Sequence, residues 1–446
     1  VLLIWNVLVL AWTLDFAFRP TYKPRSDLVF ARVGDVGPQH ALVFVRHPSA
    51  QGQIRVRARA VSSTAVSAAA AEVVATAGLP TADDDYTTTV RLDGLVEGTE
   101  YAITVGHAGG EIASLAAATW PAPGAPTRFA FGTGSCIKPN FPYAPFGNTG
   151  IRGFRLMSKV QQQRQQKSPS LAMSFVLFLG DFIYSDLPYL YGTTLEHYRR
   201  LYRQVYWEDD TRQLVSAVPM LHMYDDHEIK NNWDSGTREP FPAAMRAYLE
   251  YNGRPSSPNV TSFDSPGYYN FTRGDTAFYV MDCRRYRTGT ELGPFDAAKS
   301  FLGATQKQHF MEWLGHVNHT AAVKFVACGD PFTVNWAIGD ANQDLWRGYR
   351  VERKQILDAV KDVPNTYLLS GDRHEVAVVM VDGHTPEFST SPVNQFYVPL
   401  VNTLKDQPGE LDRTVLYQRV GNSKFAVIDV DTETNRDAPK VTYNLY

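Results

Sequence analysis

The chain has 446 residues, a formal net charge of −3, 44% hydrophobic and 20% charged residues. That composition excludes a disordered chain and leaves room for about two or three domains with a sizeable core. The near-neutral charge and the lack of any long basic run argue against nucleic-acid binding as a primary role.

The first eighteen residues, VLLIWNVLVLAWTLDFAF, are mostly apolar and are followed by Arg19, Lys23 and Arg25. Residues 1–26 are expected to be the end of a membrane anchor, at the short end of a span of ~20 residues. The alternative is an apolar helix or strand packed on the body. The basic flank points the body to the cytoplasm, whereas sequons at Asn259, Asn270 and Asn318 point it to a lumen. The expectation taken forward is a glycoprotein of the secretory pathway, membrane-anchored or extracellular. Cys136, Cys283 and Cys328 are too few and too odd in number for a disulfide framework.

Residues 27–122 read as all-β. ALVFVRH, QIRVRARAV, YTTTVRLDGL and EYAITVG are short alternating runs broken by Gly, Pro and Asp. In GLVEGTEY, a turn at Gly98 delivers Tyr101 to a strand start, where sandwich domains use a phenol to tie a corner. The stretch resembles a fibronectin type III-like sandwich. PAPGAP, residues 121–126, is a short stiff linker.

From 127 to 446 the grammar is α/β, a layered domain. Strand-like RFAFGTG, SFVLFLG, VPMLHMY, TAFYVMD, VKFVACG, TYLLSG and FAVIDV alternate with helical runs such as RGFRLMSKVQQQRQQK and ATQKQHFMEWLGHV. Residues 235–275 read as a long loop with one short helix at AAMRAYLEY.

The polar residues fall at the strand ends. RFAFGTG runs into Cys136, SFVLFLG into Asp181 and Tyr184, VPMLHMY into Asp225, Asp226 and His227, and TYLLSG into Asp372 and His374. Ligands of α/β sheets bind at those ends. Taken singly, a Gly-Asp after a strand is a turn or helix cap. Helix caps do not account for a thiol, a phenol and an imidazole converging with several carboxylates. Crowded acids repel one another unless cations neutralise them. Thiolate, phenolate and imidazole favour a redox-capable or borderline ion such as iron, and Asp and Asn oxygens favour Mg, Ca or Mn. No short-spaced Cys/His set for structural zinc exists.

Together GSC at 134–136, GDFIY at 180–184, DDHEIKNNW at 225–233, DCRRYR at 282–287, LGATQ at 302–306, DLWRGY at 344–349 and GDRHE at 371–375 resemble the PhoD-like alkaline phosphatases of the calcineurin-like metallophosphoesterase group. The resemblance covers about residues 28–430 and implies an α+β layered metallophosphoesterase-like sandwich behind the all-β domain. It implies a ferric ion on Cys136, Asp181, Tyr184 and His374. Asp181 would bridge to calcium, or to Mn, Mg or Zn, on Asp225, Asn232 and Asp372, with Asp226 a further ligand. The DDHE stretch aligns in two registers, which leaves Asp225 against Asp226 open, and Asn231 rivals Asn232. His227 looks like the family's phosphate-facing or ligand-supporting histidine, and Arg284 and Arg287 look placed on phosphate oxygens.

The implied activity is phosphomonoester hydrolysis with metal-bound hydroxide as nucleophile, on a small phosphorylated substrate, by a monomer. The alternatives are a phosphodiesterase or phospholipase-like activity near a membrane, and a non-catalytic surface binding protein that uses the β-sandwich. Two departures from the family pattern are Tyr224, where Trp is common, and Cys328-Gly-Asp-Pro, where a Gln-rich stretch is common. Some members carry a further C-terminal helix, so a chain ending at Tyr446 implies a more open pocket.

Overall fold

The computed structural model describes residues 2–62, 72–397 and 401–446. Helix α1 (Leu2–Tyr22) is long and apolar enough to cross a membrane by length and composition. Its first half is bare: Leu2, Leu3, Ile4 and Trp5 are all exposed. Its second half is docked through Asp15, which is buried and accepts the Tyr143 hydroxyl at 2.6 Å and the Phe146 N–H at 3.0 Å. Arg19 pairs with the same carboxylate.

Strands β1 (Phe30–Val36), β2 (His40–Arg46), β3 (Ile54–Ser62), β4 (Glu72–Ala77), β5 (Thr87–Asp93), β6 (Glu100–His107) and β7 (Gly110–Ala118) follow. They form two antiparallel sheets, ordered β1-β2-β5 and β4-β3-β6-β7. Alternation drives them: in β3, Ile54, Val56 and Ala58 are buried while Arg55, Arg57 and Arg59 are exposed. Tyr101 is buried, and its phenol oxygen accepts the Val96 N–H at 2.8 Å, closing the corner expected at GLVEGTEY. Buried arginines join these strands to the rest. Arg32 donates to the Met220 and Tyr251 carbonyls at 2.8 and 2.9 Å, and Arg273 meets Asp35 at 2.7 Å.

The remaining strands are β8 (Arg128–Gly134), β9 (Met173–Leu179), β10 (Met220–Met223), β11 (Tyr269–Arg273), β12 (Thr276–Val280), β13 (Val323–Ala327), β14 (Thr366–Ser370), β15 (Val376–Val381), β16 (Thr385–Thr390), β17 (Arg413–Gln418), β18 (Ala426–Asp431) and β19 (Lys440–Leu445). They make two mixed sheets, β10-β9-β8-β18-β19 and β11-β12-β13-β14-β16-β15-β17. Aromatic side chains fill the space between the sheets. Phe131 of β8 and Phe175 of β9 stack with centroids 5.3 Å apart, and Phe278 of β12 and Phe325 of β13 meet Phe131 edge-on at 5.4 and 5.1 Å. Each such buried ring contributes about 1.5–3 kcal/mol. Helices cover the outer faces. Residues 152–167 set Phe154 on Phe178, and residues 303–320 set Phe310 and Trp313 on Tyr279.

The expected loop at 235–275 differs from the structure. Its helix spans Phe241–Tyr248 and continues through a π turn to Ser256, and its end is β11, paired antiparallel with β12. Gly274, at φ +57°, makes that tight turn, and the Gly-Asp signal lay in the sequence. The hairpin β15–β16, around Asp382-Gly383, and β17 were also not foreseen.

Candidate metal centre

The carboxyl ends of β8, β9, β10 and β14 open onto one cluster of side chains. Cys136, Asp181, Asn232, Asp372 and His374 have φ values of +65°, +57°, +57°, +61° and +58°. Left-handed backbone at a non-glycine residue costs roughly 1–3 kcal/mol and persists only where the surroundings impose it. Here Glu228 is one constraint. One of its oxygens, Oε2, accepts the Asp181 and Asp225 N–H groups at 3.0 and 2.9 Å, and Oε1 accepts the Phe182 N–H at 2.6 Å. The close approach also requires glycine. A Cβ on Gly180 would meet the Asp225 Cβ at 2.5 Å, and one on Gly329 would meet the Asp225 carboxylate at 2.5 Å.

Two donor groups result. In the first, the Asp181 Oδ2 lies 3.3 Å from the Cys136 Sγ and 3.2 Å from the Tyr184 hydroxyl, which in turn lies 2.8 Å from His374 Nε2. In the second, Asp225, Asp226 and Asp372 place carboxylate oxygens within 4.8 Å of one another, and Asp226 also joins Asp181 and His227. Both aspartates whose register the sequence left open are therefore present. Asn232 gives its N–H to Asp226 at 2.6 Å and its amide to Asp340 at 3.0 Å. Asn231 is exposed and contributes its backbone N–H, which Asp186 accepts at 2.6 Å.

The donors fit cations. Asp181 Oδ1 and Asp225 Oδ2 are buried with no hydrogen-bond partner, a costly state for a carboxylate unless a cation meets it. Burial pushes the Asp225 carboxyl up to about 8 against the pull of Arg284, and the Asp372 carboxyl up to about 6. Burial, then the Asp181 charge, raises the Tyr184 phenol and the Cys136 thiol. Bound cations reverse that direction.

His227 packs against Tyr184 with ring centroids 4.1 Å apart and the rings tilted by 31°. Its Nδ1 lies 2.6 Å from Asp186 Oδ1, which leaves Nε2 for the cluster. Burial alone would push the imidazolium down. Asp226, Asp181 and Asp186 outweigh it and hold the pKa well above the ordinary range.

Arg284 and Arg287 require a correction. Both are buried behind the carboxylates and fully engaged within the protein. Arg284 donates to Asp225, Asp330 and Asp344 at 2.5, 2.7 and 2.5 Å, and Arg287 to Asp330, Asp344 and the Cys283 carbonyl at 2.6, 2.9 and 2.6 Å. Their forks are spent on buried charge, and Arg284 alone reaches Asp225, so neither is free to face a phosphate. Cys283 and Cys328 sit beside Asp330. Both oxygens of Asp330 are taken by these arginines, and Cys328 accepts the Trp346 indole N–H at 3.4 Å as a core residue.

The sequence reading missed Asp186, Glu228, Asp330, Asp340, Asp344 and Arg373. Arg373 is partly exposed and uses one nitrogen, Nη1, on Asp340 and Asp372 at 3.0 and 3.5 Å. Its signal was its place inside GDRHE. Asp186 was visible as the last residue of GDFIYSD.

A profile of the PhoD-like phosphatase family matches residues 133–438. Alkaline phosphatase D of Bacillus subtilis (strain 168) is 26% identical over 243 residues, 45% of this chain, and the match spans only 41% of that protein's length. The solved structure of PhoD is similar over 94% of this chain and 89% of its own, with 19% identity and a TM-score of 0.71. The purple acid phosphatase PPD1 from yellow lupin (Lupinus luteus) seeds is similar over 93% of this chain and 72% of its own, with 12% identity and a TM-score of 0.61. Both structural likenesses concern the fold.

Proposed function

This chain belongs to the PhoD-like phosphatase family, and from that premise we propose that it hydrolyses phosphoric monoesters at a two-cation centre. The observation that carries the reading is the pair of adjoining donor groups on left-handed backbone, with orphaned oxygens on Asp181 and Asp225. Cys136, Asp181, Tyr184 and His374 would hold iron. Asp225, Asp226, Asn232 and Asp372 would hold calcium or another divalent ion. Bound there, the cations supply Lewis acidity toward phosphoryl oxygens and acidify water.

The chain's own residues do the rest. Asp186 fixes the His227 ring and favours its charged form, so Nε2–H delivers a proton to the leaving oxygen. Among the described residues Arg373 bonds only through Nη1, which leaves its other nitrogens for the phosphate. Arg284 and Arg287 balance the charge of Asp225, Asp330 and Asp344 from behind. Residues 27–122 serve as a fibronectin type III-like sandwich joined to a catalytic unit at 127–446.

A second reading, phosphodiester or phospholipid hydrolysis beside a membrane, is favoured by the bare apolar half of α1. In that reading residues 1–26 anchor a secreted or membrane-attached protein.

The test is elemental analysis of protein purified without added metal, beside Asp181→Ala. About one iron per chain with a divalent ion, both lost together with turnover in a folded Asp181→Ala variant, is the expected result. Turnover retained by that variant in a metal-poor state would overturn the mechanism. Faster turnover of diesters than monoesters would select the second reading.

A further inference from the structure

The open face of the β4-β3-β6-β7 sheet carries a row of arginines that the catalytic reading does not use. Arg55, Arg57 and Arg59 alternate with buried Ile54, Val56 and Ala58, so all three point to the same solvent face. Residues two apart on a strand lie about 7 Å apart. Across the ladder, Arg55, Arg57 and Arg59 stand opposite Gly106, Thr104 and Ala102 of β6. Small residues there leave a trough of about 570 Å³ beside the row.

Most arginines of this protein are spent on carboxylates, including Arg46, Arg155, Arg199, Arg203 and Arg273. Among the described residues no carboxylate lies within ion-pair distance of Arg55, Arg57 or Arg59. Even Glu72, directly across from Arg59 in register, makes no ion pair with it. The segment between β3 and β4, STAVSAAAA at 63–71, contains no acid. Glu72 and Glu111 also line the trough, so three guanidiniums face two carboxylates and the row stays net positive. Its like charges repel one another, and an anion with matching repeat relieves that repulsion.

We propose that the Arg55–Arg57–Arg59 row is a docking track for a linear phosphodiester polymer, distinct from the metal centre. A guanidinium fork matches a phosphate bidentately, and a basic groove follows an extended phosphate backbone without reading sequence. The trough is lined by β3, β6 and the β6–β7 turn, a concave surface that suits a single chain better than a bilayer plane. The choice of phosphate over other anions rests on the function proposed above.

The experiment measures binding of a fluorescein-labelled, phosphorothioate-linked oligothymidylate, which resists cleavage, by anisotropy from 50 to 200 mM salt. The full chain is compared with the Arg55→Ser/Arg57→Ser/Arg59→Ser variant, and nitrophenyl phosphate turnover is recorded for both. Expected are at least a tenfold loss of affinity, a salt slope reduced by about 2, and unchanged turnover of the small ester. Unchanged affinity and slope would overturn the proposal. Equal competition by polyglutamate at the same charge concentration would overturn the phosphate assignment. Row-dependent binding to phosphatidylserine vesicles without oligomer binding would overturn it in favour of a membrane surface. Failure of nitrophenyl phosphate hydrolysis in both proteins would count against the catalytic reading, whereas anisotropy alone decides the track.

Discussion

Asp186 holds His227 in place: its Oδ1 lies 2.6 Å from the imidazole Nδ1, while its Oδ2 accepts the Asn231 N–H at 2.6 Å. One carboxylate thereby couples the loop after β9 to the loop after β10. Asp186→Asn keeps an acceptor for the ring but removes the charge. The imidazolium pKa falls, so the alkaline limb of the pH–rate profile moves to lower pH. Turnover of esters with poor leaving groups drops about 10²-fold, and nitrophenyl phosphate, whose leaving group needs little protonation, is much less affected. A uniform loss across leaving groups would contradict the proton-donor role.

Glu228 is a clamp for the two loops that carry Asp181 and Asp225. Glu228→Gln turns one acceptor oxygen into an NH₂ group facing a backbone N–H. The expected cost is about 1–3 kcal/mol of stability with a lowered metal content. Thermal unfolding and elemental analysis on the same sample check it. Unaltered metal occupancy would show that the left-handed loops hold themselves.

The two kinds of arginine separate by their readouts. Arg284→Lys breaks a buried network with Asp225, Asp330 and Asp344 and is expected to cost about 3–5 kcal/mol, seen as a loss of folded protein. Arg373→Ala leaves stability within about 1 kcal/mol and weakens the substrate, raising KM about tenfold. A stable Arg284→Lys variant with raised KM would restore the phosphate role to Arg284.

Removal of metal has a pH signature. In the metal-free protein the Asp372 and Asp225 carboxyls titrate at about 6 and about 8, above an unfolded value near 3.9. The folded state then binds more protons than the unfolded one between those values. Chelated protein therefore loses stability as pH rises from about 4 through 8. Metal binds the deprotonated groups, so the stabilisation by metal grows over the same window. Unfolding midpoints with and without chelator at pH 5, 6, 7 and 8 are expected to diverge. Parallel curves would mean these carboxylates do not hold the metal.

Tyr101→Phe deletes one acceptor and leaves the Val96 N–H without its partner. The expected loss is about 1–3 kcal/mol by denaturant unfolding, with metal content unchanged.

Much of this was legible before folding. Alternation marked β2, β3, β5 and β6, and apolar runs marked β8–β10, β12–β14 and β18, because burial on one or both faces leaves a period in the sequence. The donors Cys136, Asp181, Tyr184, Asp225, Asp226, Asp372 and His374 were legible because each follows such a run directly, so strand direction alone carries them to one edge. Strand β11, which pairs with β12, and the hairpin β15–β16 were missed because short strands among Gly, Pro and Ser carry little periodicity and take their stability from cross-strand neighbours.

What the sequence by itself determined is which residues stand at the strand ends, and that their side chains are of types able to hold cations. What only the tertiary structure decided is how the charges pair. Arg284 and Arg287 look alike in DCRRYR whether they face a phosphate or a buried Asp. Only the approach of Asp225, Asp330 and Asp344, 43 to 60 residues away along the chain, commits them inward. Ion pairing depends on distance and on the dielectric around both partners, and neither exists until the loops are packed together.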